Sequence, residues 1–223
     1  MEFLGLTVDE LRYGLITFLF IAVSLCLRAY GQAWVADRLG DRTPALEGRL
    51  TLNPLPHVDL VGTVVLPLVC IFYLQPHLEQ IRFFLGWAKP VPMNASAFTH
   101  HRKHILWCLL GQTAVSLILM LVAAVAGGVV CRFHPELQML IVGLISINAC
   151  LVVLDLLPLP PLPGAYFLMY KGWITEESFA KVARWGGLVL IIAMQLPPVQ
   201  MLFGILQALV AAPFVIVYRL ILG

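Results

Sequence analysis

The chain has 223 residues, 61% of them hydrophobic and 12% charged, with a mean hydropathy of +0.92; this composition excludes a soluble globular domain and places the chain in a membrane. Its 14 basic and 12 acidic side chains leave a formal charge of +2, too even a balance for wholesale nucleic-acid binding or a disordered polyelectrolyte. Cys26, Cys70, Cys108, Cys131 and Cys150 lie in or beside apolar runs without C-x-x-C spacing, so neither a disulfide framework nor a thiolate zinc site is indicated.

A helix needs roughly 20 apolar residues to cross the hydrocarbon core. Candidate runs are 11–27, 60–74, 105–130, 137–157, 185–196 and 199–222, which predicts an all-α polytopic membrane protein with about six membrane segments. Runs 60–74 and 185–196 are the shortest, and fit a tilted or re-entrant segment. The amino terminus carries Glu2, Asp9 and Glu10 instead of a basic region, so the first run is expected to remain as a spanning helix. It continues without proline to Gly40, and the spacing predicts one helix of about 30 residues, roughly 45 Å long, with residues 28–32 near its middle. The alternation in GRLTLNP at 48–54 predicts a short β element and a turn. The stretch GWAKPVPMN at 86–94 is stiffened by proline into an extended loop. The prolines of DLLPLPPLPG at 155–164 unwind the end of the fourth run at membrane depth, where only protein or a cavity shelters free backbone. No repeat or linker interrupts residues 1–223, which read as a single integral membrane domain. With every run counted as a crossing, the positive-inside rule favours an amino terminus on the inner side, and a re-entrant second run changes that count.

The blocks AWVADRLGD (33–41), GRLTLNPLPHVD (48–59), GT (62–63), GWAKPVPMN (86–94) and NACLVVLDLLPLPPLPG (148–164) resemble, in that order, the compact bacterial branch of the site-2 protease family, intramembrane zinc metalloproteases. The resemblance covers roughly residues 11–170 and leaves 171–223 as C-terminal membrane helices. It implies a site-2 protease-like scaffold in a bacterial inner membrane. The family's H-E-x-x-H sets two histidines on one helix face to hold zinc, while the glutamate activates water. That motif falls on RAYGQ at 28–32, so Arg28 and Gln32 take the ligand positions and Ala29 that of the base. In the L-D-G turn the third ligand, an aspartate, is replaced by Pro163. Arginine carries donors only and stays protonated. The expectation is therefore a chain with no catalytic residues, no metal and no cofactor, and not an enzyme. The Gly-Pro-x-x-Asn pattern entering the third segment also reads differently, as GQTAV at 111–115.

The resemblance leaves Arg28, Asp155, His57 and Asn148 structural roles around the former site. Asp155 is the only acid between Glu136 and Glu176, and family geometry brings it against the first helix, so it is the expected partner of Arg28. Carbonyls freed by Pro158, Pro160 and Pro161 are further candidates. Thr51, Asn53, Trp87, Lys89 and Val91, on the β element and the proline loop, are expected to meet a partner by strand addition. The cluster HHRKH at 100–104 precedes an apolar run and reads as a basic patch on lipid headgroups. The expected function is that of a pseudoprotease: a membrane binding or regulatory protein, or a subunit of a larger membrane complex. Alternatives are a divergent intramembrane metalloprotease and a transporter-like accessory protein. The expected partners are the lipid bilayer and a membrane protein, with no nucleic acid.

Overall fold

A computed structural model describes residues 7–74 and 86–223. Helix α1 (Val8–Arg38) opens on a capping box, in which the Thr7 hydroxyl accepts the Glu10 backbone N–H at 3.2 Å and the Glu10 carboxylate accepts the Thr7 N–H at 2.8 Å. The helix runs 31 residues and stops where Gly40 takes φ +104°. There the Gly40 N–H donates to the Asp37 carbonyl at 3.1 Å and the Asp41 N–H to the Ala36 carbonyl at 3.0 Å, a closure that needs a left-handed residue. One long helix through residues 28–32 is thus present, with those residues in its second half.

After α1 come α2 (Thr43–Leu46), α3 (Leu66–Val69), α4 (His101–Phe133), α5 (Gln138–Leu156), α6 (Pro163–Tyr170), α7 (Glu176–Ala193) and α8 (Pro197–Leu222). Among the described residues α1, α4, α8 and the segment Pro135–Leu156 containing α5 are long and apolar enough to span a membrane. The apolar segment Leu60–Tyr73 is shorter. Wide π-type turns at Leu60–Val65 and Cys70–Leu74 flank α3, whose Pro67 cannot donate to the helical ladder. The run 185–196 is no separate spanning helix. It forms the second half of α7, whose first half carries Lys181 and Arg184, and the turn into α8.

The predicted β element is corrected: there is no strand among the described residues, and 48–53 runs in turns and bends. Alternation alone lacks a partner strand, and here the polar members face inward or close local turns. The Asn53 carboxamide accepts the Leu55 N–H at 3.1 Å, and the Thr51 hydroxyl accepts the Asn53 N–H at 3.1 Å.

Glycines set the helix spacing. A Cβ on Gly31 would lie 2.4 Å from Val115, and one on Gly111 2.7 Å from Val35, so α1 and α4 cross with their backbones close, as small residues allow inside a membrane. Gly127 and Gly128 do the same for α4 against Ile141 of α5 and Ile221 of α8. One core cluster joins Ile21, Leu25, Cys70, Leu154 and Phe203, and a second joins Met120, Ala124, Ile145, Ala149 and Tyr218. The outer face of α4 is apolar too, with Ile118, Leu121, Val122 and Val125 all exposed, as suits a helix touching lipid.

The bundle has two unlike ends. The end of α1, the start of α4 and the loops around 39–59 and 86–100 meet at one of them, where Ala36, Phe98 and Cys108 form a small core and the Asn94 N–H donates to Asp41 at 2.7 Å. The segment that starts at Leu60 leaves this loop end, reaches Gly14 with Ile71 and Phe72, and its flanks meet again where the Trp87 N–H donates to the Gly62 carbonyl at 3.1 Å. The Cβ of any residue but glycine at 62 would strike the Trp87 ring at 2.4 Å.

Candidate functional site

The resemblance places the family's chemistry where α1, α4 and α5 meet, and polar side chains gather there. Arg28 is 5% exposed and Asp155 6%. The Nη2 group of Arg28 donates to both carboxylate oxygens of Asp155, at 2.7 and 2.8 Å, and Nη1 donates to the Ser116 hydroxyl at 2.6 Å. Asp155 also accepts from Gln112 Nε2 at 3.0 Å and from the Thr113 hydroxyl at 2.6 Å. Four donor contacts on the carboxylate and two satisfied nitrogens on the guanidinium form the kind of saturated pair that a low-dielectric interior tolerates. The Gly31–Gly111 crossing lets α4 come near enough to contribute its three side chains. Among the described residues the guanidinium's hydrogen bonds go to Asp155 and Ser116, and none goes to a prolyl carbonyl beyond Asp155.

The neighbouring positions are packed. Ala29 is 4% exposed and clusters with Ala33 and Val91. Gln32 points its amide at the Met93 sulfur, 3.7 Å away. Pro163 is buried as the first residue of α6, followed by Gly164, whose Cβ would lie 2.5 Å from the Leu157 carbonyl oxygen. For a zinc ion this donor set does not fit: Arg28 presents only N–H donors, Gln32 one neutral amide and Pro163 no side-chain donor. Among the described residues no group of three or more His, Cys, Asp or Glu side chains is placed to hold a metal.

A second polar centre pins the loops. Arg49 is 4% exposed; its guanidinium donates to the Pro56 carbonyl, to the Lys89 carbonyl at 2.5 Å and to the Pro90 carbonyl at 2.9 Å. His57 is 1% exposed, and its Nε2 lies 2.9 Å from the Thr51 carbonyl. A carbonyl only accepts, so Nε2 carries the proton, and Nδ1 is a bare, buried lone pair. Burial pushes the His57 pKa down against the pull of the Thr51 bond, with the Arg49 charge adding to the fall. Burial also lowers the Arg49 pKa. The Lys89 N–H donates to the His57 carbonyl at 2.8 Å, and the Thr63 hydroxyl to the Trp87 carbonyl at 2.8 Å.

Of the residues expected at a partner surface, Asn53, Trp87 and Lys89 are exposed and Thr51 half-buried. Val91 is not such a residue: it is 8% exposed and packs on Ala29 and Ala33. Strand addition has no strand edge to build on among the described residues. Asn148, fully buried, donates to the Ser24 hydroxyl at 3.1 Å and to the Leu144 carbonyl at 3.0 Å; it ties α5 to α1 about two turns from Asp155, apart from the Arg28 network. In the HHRKH cluster, the rings of His100 and His104 meet edge to face at 5.8 Å, and Arg102 pairs with Glu176 at 3.0 Å. The sequence alone assigns no role in this site to Gln112, Thr113, Ser116 or Arg49. The first three carry a usable signal, polar side chains at i, i+1 and i+4 inside an apolar helix, which puts them on one face.

Comparison with known proteins gives relatives of one kind. The chain is 31% identical over 171 residues to the protein named "Putative zinc metalloprotease YwhC" of Bacillus subtilis, covering 73% of this chain and 70% of the relative. It is 29% identical over 195 residues to "Putative zinc metalloprotease Rip2" of Mycolicibacterium smegmatis, covering 86% of this chain and 72% of the relative. It is also 29% identical over 164 residues to the Rip2 of Mycobacterium tuberculosis, covering 72% and 60%. No family model and no solved structure matches the chain. These relatives overturn the expectation that the chain is not an enzyme, since the names they carry point to protease activity.

Proposed function

We propose, for a chain that belongs to the site-2 protease family, that it binds a transmembrane or juxtamembrane segment of another membrane protein, as a regulator or as a subunit of a membrane complex. The observation that supports this most is the ledge of Thr51, Asn53, Trp87 and Lys89. It presents polar edges and an indole that is 47% exposed, while Arg49 and His57 hold its backbone from beneath. Recognition by a preorganised surface loses little to ordering. A photo-crosslinking residue at Thr51 or Trp87 is expected to capture a membrane protein in native membranes, and one at the lipid-facing Ile118 is not. Equal capture at all three positions overturns the reading. The length of the captured chain, intact or shortened, reports whether binding is followed by cleavage.

The same reading places the protein in a bacterial inner membrane with the loop end in the cytoplasm. That end gathers Arg38, Arg42, Arg49, Lys89, Arg102, Lys103, Lys171, Lys181 and Arg184, against Arg12, Arg132 and Arg219 at the other; Arg82 lies outside the described residues. Nine against three satisfies the positive-inside rule with the start of α1 outside, the reverse of the count that treats every apolar run as a crossing. The five native cysteines are buried, so introduced ones report cleanly. A membrane-impermeant maleimide should label Glu136→Cys in intact spheroplasts and Ser178→Cys only after lysis. Labelling in the opposite order overturns the orientation.

A further inference from the structure

Helix α7 starts and finishes in the same half of the bundle. Its first residue, Glu176, accepts from Arg102 in the first turn of α4 at 3.0 Å, so α7 begins beside the loops. Laid along the bilayer normal, it would climb about 30 Å between Glu176 and Leu196, a full hydrocarbon thickness, and would deliver Leu196 to the opposite surface. The packing puts that turn elsewhere. Gly186 lies against Pro160, and Met194, 1% exposed, shares a cluster with Leu25, Leu154 and Phe203, one position from Asp155. From that level α8 departs. Gln200 Nε2 donates to the Met194 carbonyl at 2.8 Å, and Ile221 meets Gly128 at the end of the bundle away from the loops. Because α8 makes one crossing and finishes at the far end, the turn before it stays in the half that holds the loops.

Composition along α7 follows the same path. Glu176, Glu177, Lys181 and Arg184 all precede Trp185, and residues 185–194 carry no charge. Phe179 packs on Tyr166 at 4.5 Å between ring centroids and Leu190 on the core cluster, whereas Val182, Trp185, Val189 and Ile192 are 43, 63, 45 and 58% exposed. Their spacing of three, four and three puts them on one helix face. We infer that α7 dips obliquely into the leaflet on the loop side and turns back at residues 195–198 without crossing, with this stripe against the phospholipids of that leaflet. Depth selects the occupant. Val189 and Ile192 lie within two residues of Leu190, whose cluster includes Leu154, inside the span Pro135–Leu156, where acyl chains are the surrounding medium. Lys181, Arg184 and Trp185 stay nearer the headgroups, where basic and indole side chains settle. The geometry is the same whichever side of the membrane the loops face.

The test uses the full chain in nanodiscs of phosphatidylethanolamine and phosphatidylglycerol, with nitroxides on introduced cysteines. A pair at Glu136→Cys and Leu196→Cys reads the topology. Glu136 follows the far end of α4, so the distance between the labels should be near the length of α8, about 40 Å. Two labels on one surface of the bundle would stand within about 25 Å, two to three helix spacings, and a main distance at or below that value overturns the proposal. A single label at Ile192→Cys reads the occupant. Oxygen, which partitions into acyl chains, should relieve its power saturation severalfold more than a water-soluble nickel chelate does, and Val182→Cys, nearer the headgroups, should show a smaller ratio. Stronger relief by the chelate at Ile192, or shielding from both reagents by a second copy or another protein, overturns it.

Discussion

Arg28→Ala and Asp155→Ala are each expected to destabilise the detergent-solubilised protein by about 3–5 kcal/mol, and the double variant to recover part of that loss. Arg28→Ala leaves a carboxylate 6% exposed with only the Gln112 and Thr113 donors. Asp155→Ala leaves a guanidinium 5% exposed with Ser116 as its remaining partner. Either stranded charge must be neutralised, reach water or pull the helices apart, and all three cost stability. Removing both charges eliminates that penalty and leaves a cavity among neutral hydroxyls. Thermal unfolding of the four proteins at one pH completes the cycle, and strictly additive losses would show that the two side chains do not act as a pair. Arg28→Lys should recover little, because a single ammonium cannot reach the carboxylate and Ser116 with the same planar fork.

Gly186→Ala is expected to detach α7 from the proline-rich turn, whereas Gly187→Ala, one residue on, should leave it in place. A Cβ at 186 would stand 1.7 Å from the Pro160 carbonyl oxygen and 2.9 Å from its carbon, and neither atom can rotate away. At 187 nothing lies within 4 Å. Overpacking of this kind typically costs about 1–3 kcal/mol, more where backbone must move, while alanine for an open helical glycine stabilises by about 0.5–1 kcal/mol. Melting temperature and the rate of proteolysis next to Gly172 should therefore move in opposite directions in the two variants. Similar shifts in both would mean that α7 does not rest on Pro160.

Long apolar periodicity made α1, α4, α5 and α8 readable, because length and composition are properties of each segment alone. Arg28 and Asp155 stand out for a related reason: a charge in an apolar run has few partners to choose from. The β reading of 48–53 failed because alternation describes one chain, whereas a strand needs a second. Arg49 fills the gap instead, with carbonyl contacts from two loops that no local pattern announces. The positive-inside count depends on a contact of the same kind. The parity of crossings depends on whether the flanks of the segment starting at Leu60 meet again, and the bond between Trp87 and Gly62 is a contact across 25 positions that hydropathy does not carry. Val91 looked like a surface residue in an extended loop, and it faces inward because Ala29 and Ala33 leave room for it. The expectation about enzymatic activity rested on four positions, and relatives extending over most of the chain displaced it.

The Arg28–Asp155 contact also has a consequence in time. The two residues are 127 positions apart, and at the usual 5–20 residues per second of synthesis the carboxylate is made about 6–25 s after the guanidinium. Ser116, 88 positions on, arrives sooner but brings no charge. A lone arginine in a helix entering the bilayer costs on the order of 3 kcal/mol, so through that interval α1 carries an unpaired cation. Until then the apolar residues of α1 alone offset the charge, and the pair adds its contribution only once α5 is in place.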